Sequence, residues 1–178
     1  MKKIMNFVLM AVLAVCFVLP AAGKAEAAKL AVVPLANHVE DNTTASMIYM
    51  EEIMDTFKFP EFDMIAEDVV DKAVGSRNIS DFSKANLERI ARESGADIVI
   101  AMSLDKLDDK ALFPRREPTL KLDMSGEFAF LSKVTGRYYV KNSDDMEIEE
   151  ILTVRSDWKS EEFAKTVRSY LKKVTQFK

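Results

Sequence analysis

The sequence predicts a single α/β (α+β) domain in which helices flank a mixed β-sheet. Three observations carry this reading. Two apolar runs without alternation, 30–35 (LAVVPL) and 98–102 (IVIAM), read as strands covered on both faces. Between them apolar residues recur at spacings of three and four, the period of helices. Beyond residue 119 the period changes to two, as in strands with one wetter face.

Taken in order, the elements follow from these periods and from their stop signals. After the first strand, Met47, Met50, Ile53, Met54 and Phe57 fall on one helix face, which predicts that they are core. A short strand at 62–65 comes next. Asp68 is expected to cap a helix carrying Val69, Val70, Ala73 and Val74, ended by Gly75. Ser83 is expected to cap another, with Leu87, Ile90 and Ala91 inside and Gly95 just beyond it. The central strand then spans 97–107. Leu120, Leu122, Met124, Phe128 and Phe130 alternate with Lys121, Asp123, Ser125 and Glu127. Strands at 137–141 and 148–155 follow, with turns at Gly136 and at 142–145 (NSDD). Phe163, Val167, Tyr170, Leu171, Val174 and Phe177 share one face of a closing helix, with Ser160 as its expected cap and Lys172, Lys173 and Lys178 near its negative end. The predicted order is β-α-β-α-α-β-β-β-β-α.

The chain opens with the signs of export. Lys2 and Lys3 precede an uncharged stretch from 4 to 19, Pro20 breaks it, and Ala25-Glu26-Ala27 supplies a small-x-small site. Residues 1–27 are therefore expected to be a signal peptide cleaved after Ala27, leaving a domain at 28–178 in the periplasm or cell envelope. Two other fates use the same residues. Lipidation at Cys16 would anchor the chain, although Val15 is branched where a lipobox has a small residue and the apolar run continues to Leu19. Retention of 4–23 as a helix would also anchor it, since 20 residues reach across a bilayer. The membrane enters only by these two routes.

Composition excludes several functions. The 178 residues hold 25 basic and 29 acidic side chains. Lys2, Lys3, Lys24 and Glu26 leave with the leader, so the domain carries 22 against 28 and a net charge of −6. No basic stripe exists to displace counterions from nucleic acid. Cys16 is the only cysteine and His38 the only histidine, so neither a cysteine nucleophile nor a zinc cluster can be written for 28–178. The four glycines of the domain are isolated, which excludes the glycine-rich phosphate loops. Acidic groups at Asp105, Asp108 and Asp109 and at 144–150 lack the pattern of an EF-hand loop. No cofactor, metal or catalytic residue is expected.

One loop stands apart. In 113–118 (FPRREP) two prolines stiffen a segment that presents Phe113, Arg115 and Arg116, a composition suited to touching a protein partner. A plain connector between strands would use the same residues.

The motifs in their order resemble a bacterial envelope superfamily. They are AVVPLAN at 31–37, MIAEDVVDKAV at 64–74, RIARESGADIVIAMSLD at 89–105 and KVTGRYYV at 133–140, followed by the amphipathic helix. The superfamily includes the periplasmic domain of the curli secretion channel CsgG, the N-terminal domain of TolB and lipoprotein activators of penicillin-binding proteins. The likeness spans nearly all of 29–178. It implies a non-enzymatic exported domain that docks on envelope proteins or assembles with itself, and it carries no catalytic residue across. Two departures matter: the lipobox is poor, and Lys121, Asp123 and Glu127 do not suit the lipid-facing wall of a channel hairpin. The expected role is a protein-binding or assembly module. A subunit of a homo-oligomeric secretion or transport assembly is the alternative, and a carboxylate-dependent hydrolase of wall polysaccharide is a third reading.

Overall fold

The computed structural model describes residues 27–39, 44–75, 80–112, 119–151 and 158–175. Its strands are β1 (Ala28–Val32), β2 (Ala36–Asn37), β3 (Phe62–Met64), β4 (Ile98–Leu104), β5 (Lys106–Leu112), β6 (Thr119–Ser132) and β7 (Arg137–Ile151). Its helices are α1 (Thr44–Thr56), α2 (Glu67–Val74), α3 (Lys84–Ser94) and α4 (Trp158–Val174). All seven strands join one mixed sheet. The path runs β3-β1-β4-β6-β5, with β2 also beside β4 and β7 along the outer edge of β6. The parallel part, β3-β1-β4, is made by helical crossovers, and the antiparallel pair β6-β7 by a tight turn at 133–136. The fold class and element order match the expectation.

Burial on both faces is the reason the two central runs do not alternate. Leu30 and Val32 pack under α1 and α4, whereas Ala31 and Val33 pack under α2 and α3. In β4 every residue is buried, with Ile98, Ile100, Met102 and Leu104 facing one layer and Val99 and Ala101 the other. The result is three layers, helices on either side of a sheet. Among the described residues no helix is long and apolar enough to cross a membrane.

At Asp105 the pleat changes phase. Even-numbered residues face the α1–α4 layer through Leu104, and then Leu107 faces it. The extra residue makes a bulge between β4 and β5, which otherwise lie end to end along one edge of β6. Opposite it, Gly126 sits so close to β4 that a Cβ there would lie 2.2 Å from the Ser103 carbonyl oxygen. Ser103 Oγ accepts from the Glu127 N–H at 3.0 Å, and the Asp105 N–H donates to the Ser125 carbonyl at 2.9 Å.

Several local expectations need correction. Residues 142–145 are not a turn: β7 runs through them, and its register with β6 slips by one residue between Ser143 and Met146. One residue on β6 there, Ser125, faces two on β7, Asp144 and Asp145, so the polar run marks a bulge. Asp68 does not cap α2, which begins at Glu67 with Ala66 before it and no side-chain cap. Glu67 and Asp68 instead lie in the first turn, where the helix dipole favours acids. Ser160 lies inside α4, which starts at Trp158. Ser83 does cap α3, accepting from the Asn86 N–H, and Gly95 ends it with φ at 74°. Gly75 and Gly136 likewise take positive φ where an end and a turn were expected.

Polar staples tie the helices in pairs. Arg89 of α3 donates to the Ala73 carbonyl at the end of α2 and to Glu93, which satisfies a carbonyl that the helix itself leaves open. Across the other layer, Arg168 of α4 grips Glu52 of α1 through both carboxylate oxygens, at 2.9 and 2.5 Å. A second pairing, Lys159 with Asp109, joins α4 to β5.

Candidate functional site

His38, the only histidine of the chain, follows the first strand in the sequence, beyond its carboxyl end. The structure puts it there, with its N–H on the Leu104 carbonyl and its Nδ1 2.8 Å from Asp105 Oδ1. Ser103 Oγ lies 3.4 Å from the other oxygen of the same carboxylate. The order is therefore His-Asp-Ser, with the acid in the middle. A nucleophile needs the histidine between itself and the acid, because the histidine must take its proton. This group orients a bulge; it does not activate a hydroxyl.

Glu127 adds to the acidic character of the same area. Loss of hydration pushes its carboxyl above the usual range, and the charges of Asp105 and Asp81 push it further. The Tyr138 hydroxyl, which donates to the Phe82 carbonyl at 2.7 Å, is pushed up by burial and by Glu127 and Asp81. Among the described residues, no three His, Cys, Asp or Glu side chains converge closely enough to hold a metal ion.

The raised Glu127 makes a testable stability difference. The folded chain takes up this proton at higher pH than the unfolded chain does. Its contribution is complete below the unfolded carboxylate range and is lost as pH rises through the folded value. Glu127→Gln is thus expected to be more stable than the parent at pH 7, with the gain fading toward about pH 4. Urea midpoints at the two pH values measure it, and a variant less stable at pH 7 would contradict the account.

Helix α1 holds the surface that sequence reasoning misplaced. Its buried stripe is Ala45, Tyr49 and Ile53, continued by Phe57 past its end, a spacing of four throughout. Met47, Met50 and Met54 form a second stripe, at spacings of three and four, on the outward side. Met47 is 71% exposed and Met54 55%, and Met50 is half-buried. The expectation that these methionines are core is thus wrong for Met47 and Met54, while Ile53 and Phe57 keep their place. Tyr49 took the inner position, its ring buried and its hydroxyl without a hydrogen-bond partner among the described residues. Burial raises that hydroxyl's pKa far beyond the normal tyrosine range.

The exposed methionines border two adjoining grooves. One, of about 750 Å³, lies between Pro34, Leu35, Met47, Met50 and Met54. The other, of about 450 Å³, continues past Met54 to Phe57, Phe59, Phe62 and Met64. Phe59, in the turn before β3 where its bond to Pro60 is cis, is 81% exposed. Strand β3 closes the sheet on this side and pairs only with β1 among the described residues, so the second groove runs beside an open sheet edge. Acidic groups rim the surface: Glu51, Asp55, Asp63 and Glu67, with Lys58 paired to Asp55 at 3.3 Å. Apolar surface beside an unpaired edge is what binds extended segments of other chains.

The sequence-predicted contact at Phe113, Arg115 and Arg116 lies outside the described residues, as do residues 1–26, including Cys16. The chain on either side of the loop is described. Leu112 and Thr119 pair with each other, so 113–118 joins the far ends of β5 and β6.

Compared with known proteins, the chain matches no family model and no curated protein. Solved structures share part of its architecture. It is similar to lipoprotein GNA1162 from Neisseria meningitidis at 14% identity and a TM-score of 0.46, over 80% of this chain and 97% of that one. It is similar to the PelC dodecamer from Paraburkholderia phytofirmans at 16% identity and a TM-score of 0.42, over 80% and 84%. It is also similar to the LpoB C-terminal domain from Salmonella enterica at 16% identity and a TM-score of 0.36, over 79% and 93%. These are partial likenesses of fold.

Proposed function

We propose that the chain is exported and works in the cell envelope as a non-enzymatic module that binds another protein. The observation that carries this reading is the exposed face of Met47, Met54 and Phe59 beside the open edge of β3. Scattered exposed apolar residues need no explanation, but a contiguous set lining two grooves does. Methionine adapts to varied partners, and the acidic rim favours a segment that interleaves apolar and basic residues. The leader supports export. The arrangement around His38 supports the non-enzymatic part, since it holds no nucleophile beside a base.

Cross-linking in the cell tests it. The tagged full chain is expected to capture the same envelope protein reproducibly, and Met47→Glu with Met54→Glu is expected to reduce that capture at least ten-fold. Unchanged capture by the double variant would remove this surface from the proposal. Capture of nothing but the chain itself, lost in the same variant, would favour the self-assembling subunit instead. The loop at Phe113, Arg115 and Arg116 is proposed as a second contact. It is tested separately by Arg115→Glu with Arg116→Glu, which should weaken capture of the same partner.

A further inference from the structure

Behind the sheet's outer strand lies a groove of opposite character. It occupies about 350 Å³ between β7 and α4. Lys141 and Ser143 stand on the face of β7 that also carries Tyr139, toward α4. From the helix come Thr166, Ser169 and Lys173, one stripe at spacings of three and four, with Lys165 beside them. Three ammonium groups and several hydroxyls line the space, and none of the lining residues is acidic. In an acidic chain this is a local reversal of sign. Lys165 is partly neutralised by Glu162, which it grips at the base of the helix. Lys141 and Lys173 have no carboxylate partner among the described residues.

The floor is rigid. Tyr170 is buried there, its ring stacked on Phe128 at 5.2 Å and 26° and its hydroxyl hydrogen-bonded to Ser143. Ser143 Oγ in turn donates to the Gly126 carbonyl at 3.0 Å. The strand side of the groove is therefore fixed by hydrogen bonds before any ligand arrives.

The geometry points to a binding site for a phosphate group, carried on a small soluble ester or on a lipid headgroup. Lysine acts on phosphate as a point charge without demanding the planar fork of a carboxylate, and the hydroxyls of Ser169 and Thr166 can serve the remaining oxygens. The volume takes a phosphate with a few carbons attached and not a folded polymer. This site lies at the β7 edge of the sheet, opposite the β3 edge beside the methionine surface, and stands or falls independently of it.

The test uses the full chain and two probes: sn-glycerol 3-phosphate by titration calorimetry, and vesicles of phosphatidylglycerol with phosphatidylcholine against phosphatidylcholine alone. Lys141→Gln with Lys173→Gln is compared with Lys84→Gln, an exposed lysine of α3 paired to Glu88. Saturable binding of the ester, weakened at least ten-fold in the double variant and unchanged by Lys84→Gln, is the expected result and assigns a soluble phosphate. Retention only by the anionic vesicles, lost in the double variant alone, supports the site with the headgroup as its source. No binding of either probe overturns the proposal. So does binding that the double variant keeps, or that Lys84→Gln weakens equally, since that is general charge attraction. Circular dichroism of the double variant should match the parent, because both lysines are exposed.

Discussion

Replacing Gly126 by alanine is expected to destabilise the protein by about 3 kcal/mol or more, a large share of the about 5–15 kcal/mol that holds a domain folded. The added methyl would sit 2.2 Å from the Ser103 carbonyl oxygen, 3.1 Å from its carbon and 3.4 Å from Leu104 Cα. All three are backbone atoms of the central strand, so no side chain can turn aside to make room. The hairpin would have to lift away from β4, stretching the Glu127–Ser103 and Asp105–Ser125 hydrogen bonds together. Gly136→Ala is the proper comparison, because its φ is 68° but nothing lies within 4 Å of the added atom. Backbone strain alone there should cost about 1 kcal/mol. Guanidinium denaturation of the two variants separates the effects, and equal losses would dismiss close approach as the cause.

Phe128→Ala is expected to cost about 3–5 kcal/mol. Phe128 is fully buried and joins the sheet to α4 by stacking on Tyr170, with Tyr139 tilted against it at 6.4 Å. Truncation opens a cavity at the seam between two layers, where β7 cannot follow without breaking its register. Phe128→Leu keeps most of the volume and should cost about 1.5 kcal/mol or less. It would also loosen the Tyr170 ring, so it should weaken phosphate binding while the fold persists. A loss under about 1 kcal/mol for Phe128→Ala, measured by the same denaturation, would mean that α4 does not pack on this residue.

Much of the architecture was legible because burial on two faces and on one face leave different periods. The runs at 30–35 and 98–102 do not alternate, and 120–130 does, and the sheet uses them accordingly. What periodicity does not encode is which of two apolar stripes faces inward. In α1 the stripe through Met47, Met50 and Met54 is as regular as the one through Ala45, Tyr49 and Ile53. The methionines look the more apolar by residue type, yet the inner place goes to a tyrosine ring that fills the space under α4. Bulges were equally hidden. Asn142 to Asp145 has the composition of a turn, and only pairing with β6 holds it extended. The split of the central strand at Asp105 rests on Gly126 of another strand, a relation that no local window contains. The lysine groove is also non-local, since its residues lie on β7 and α4. Its signal in the sequence, Lys165, Ser169 and Lys173 along one helix side, is shared by any solvated helix.

One feature sets a constraint on how the chain reaches this state. The layer over one face of the sheet is built from α1 and α4, joined by a pairing whose partners are 116 residues apart. The larger core, with Tyr49 and Ile53 on one side and Phe163, Val167 and Leu171 on the other, stays open until both helices are present. Closing so distant a pair costs entropy before it returns any buried area, which slows the commitment to the native state. A chain that leaves a ribosome from its N-terminus cannot seal this core while α4 is still unmade. It therefore cannot complete this layer until the residues of α4 have been made.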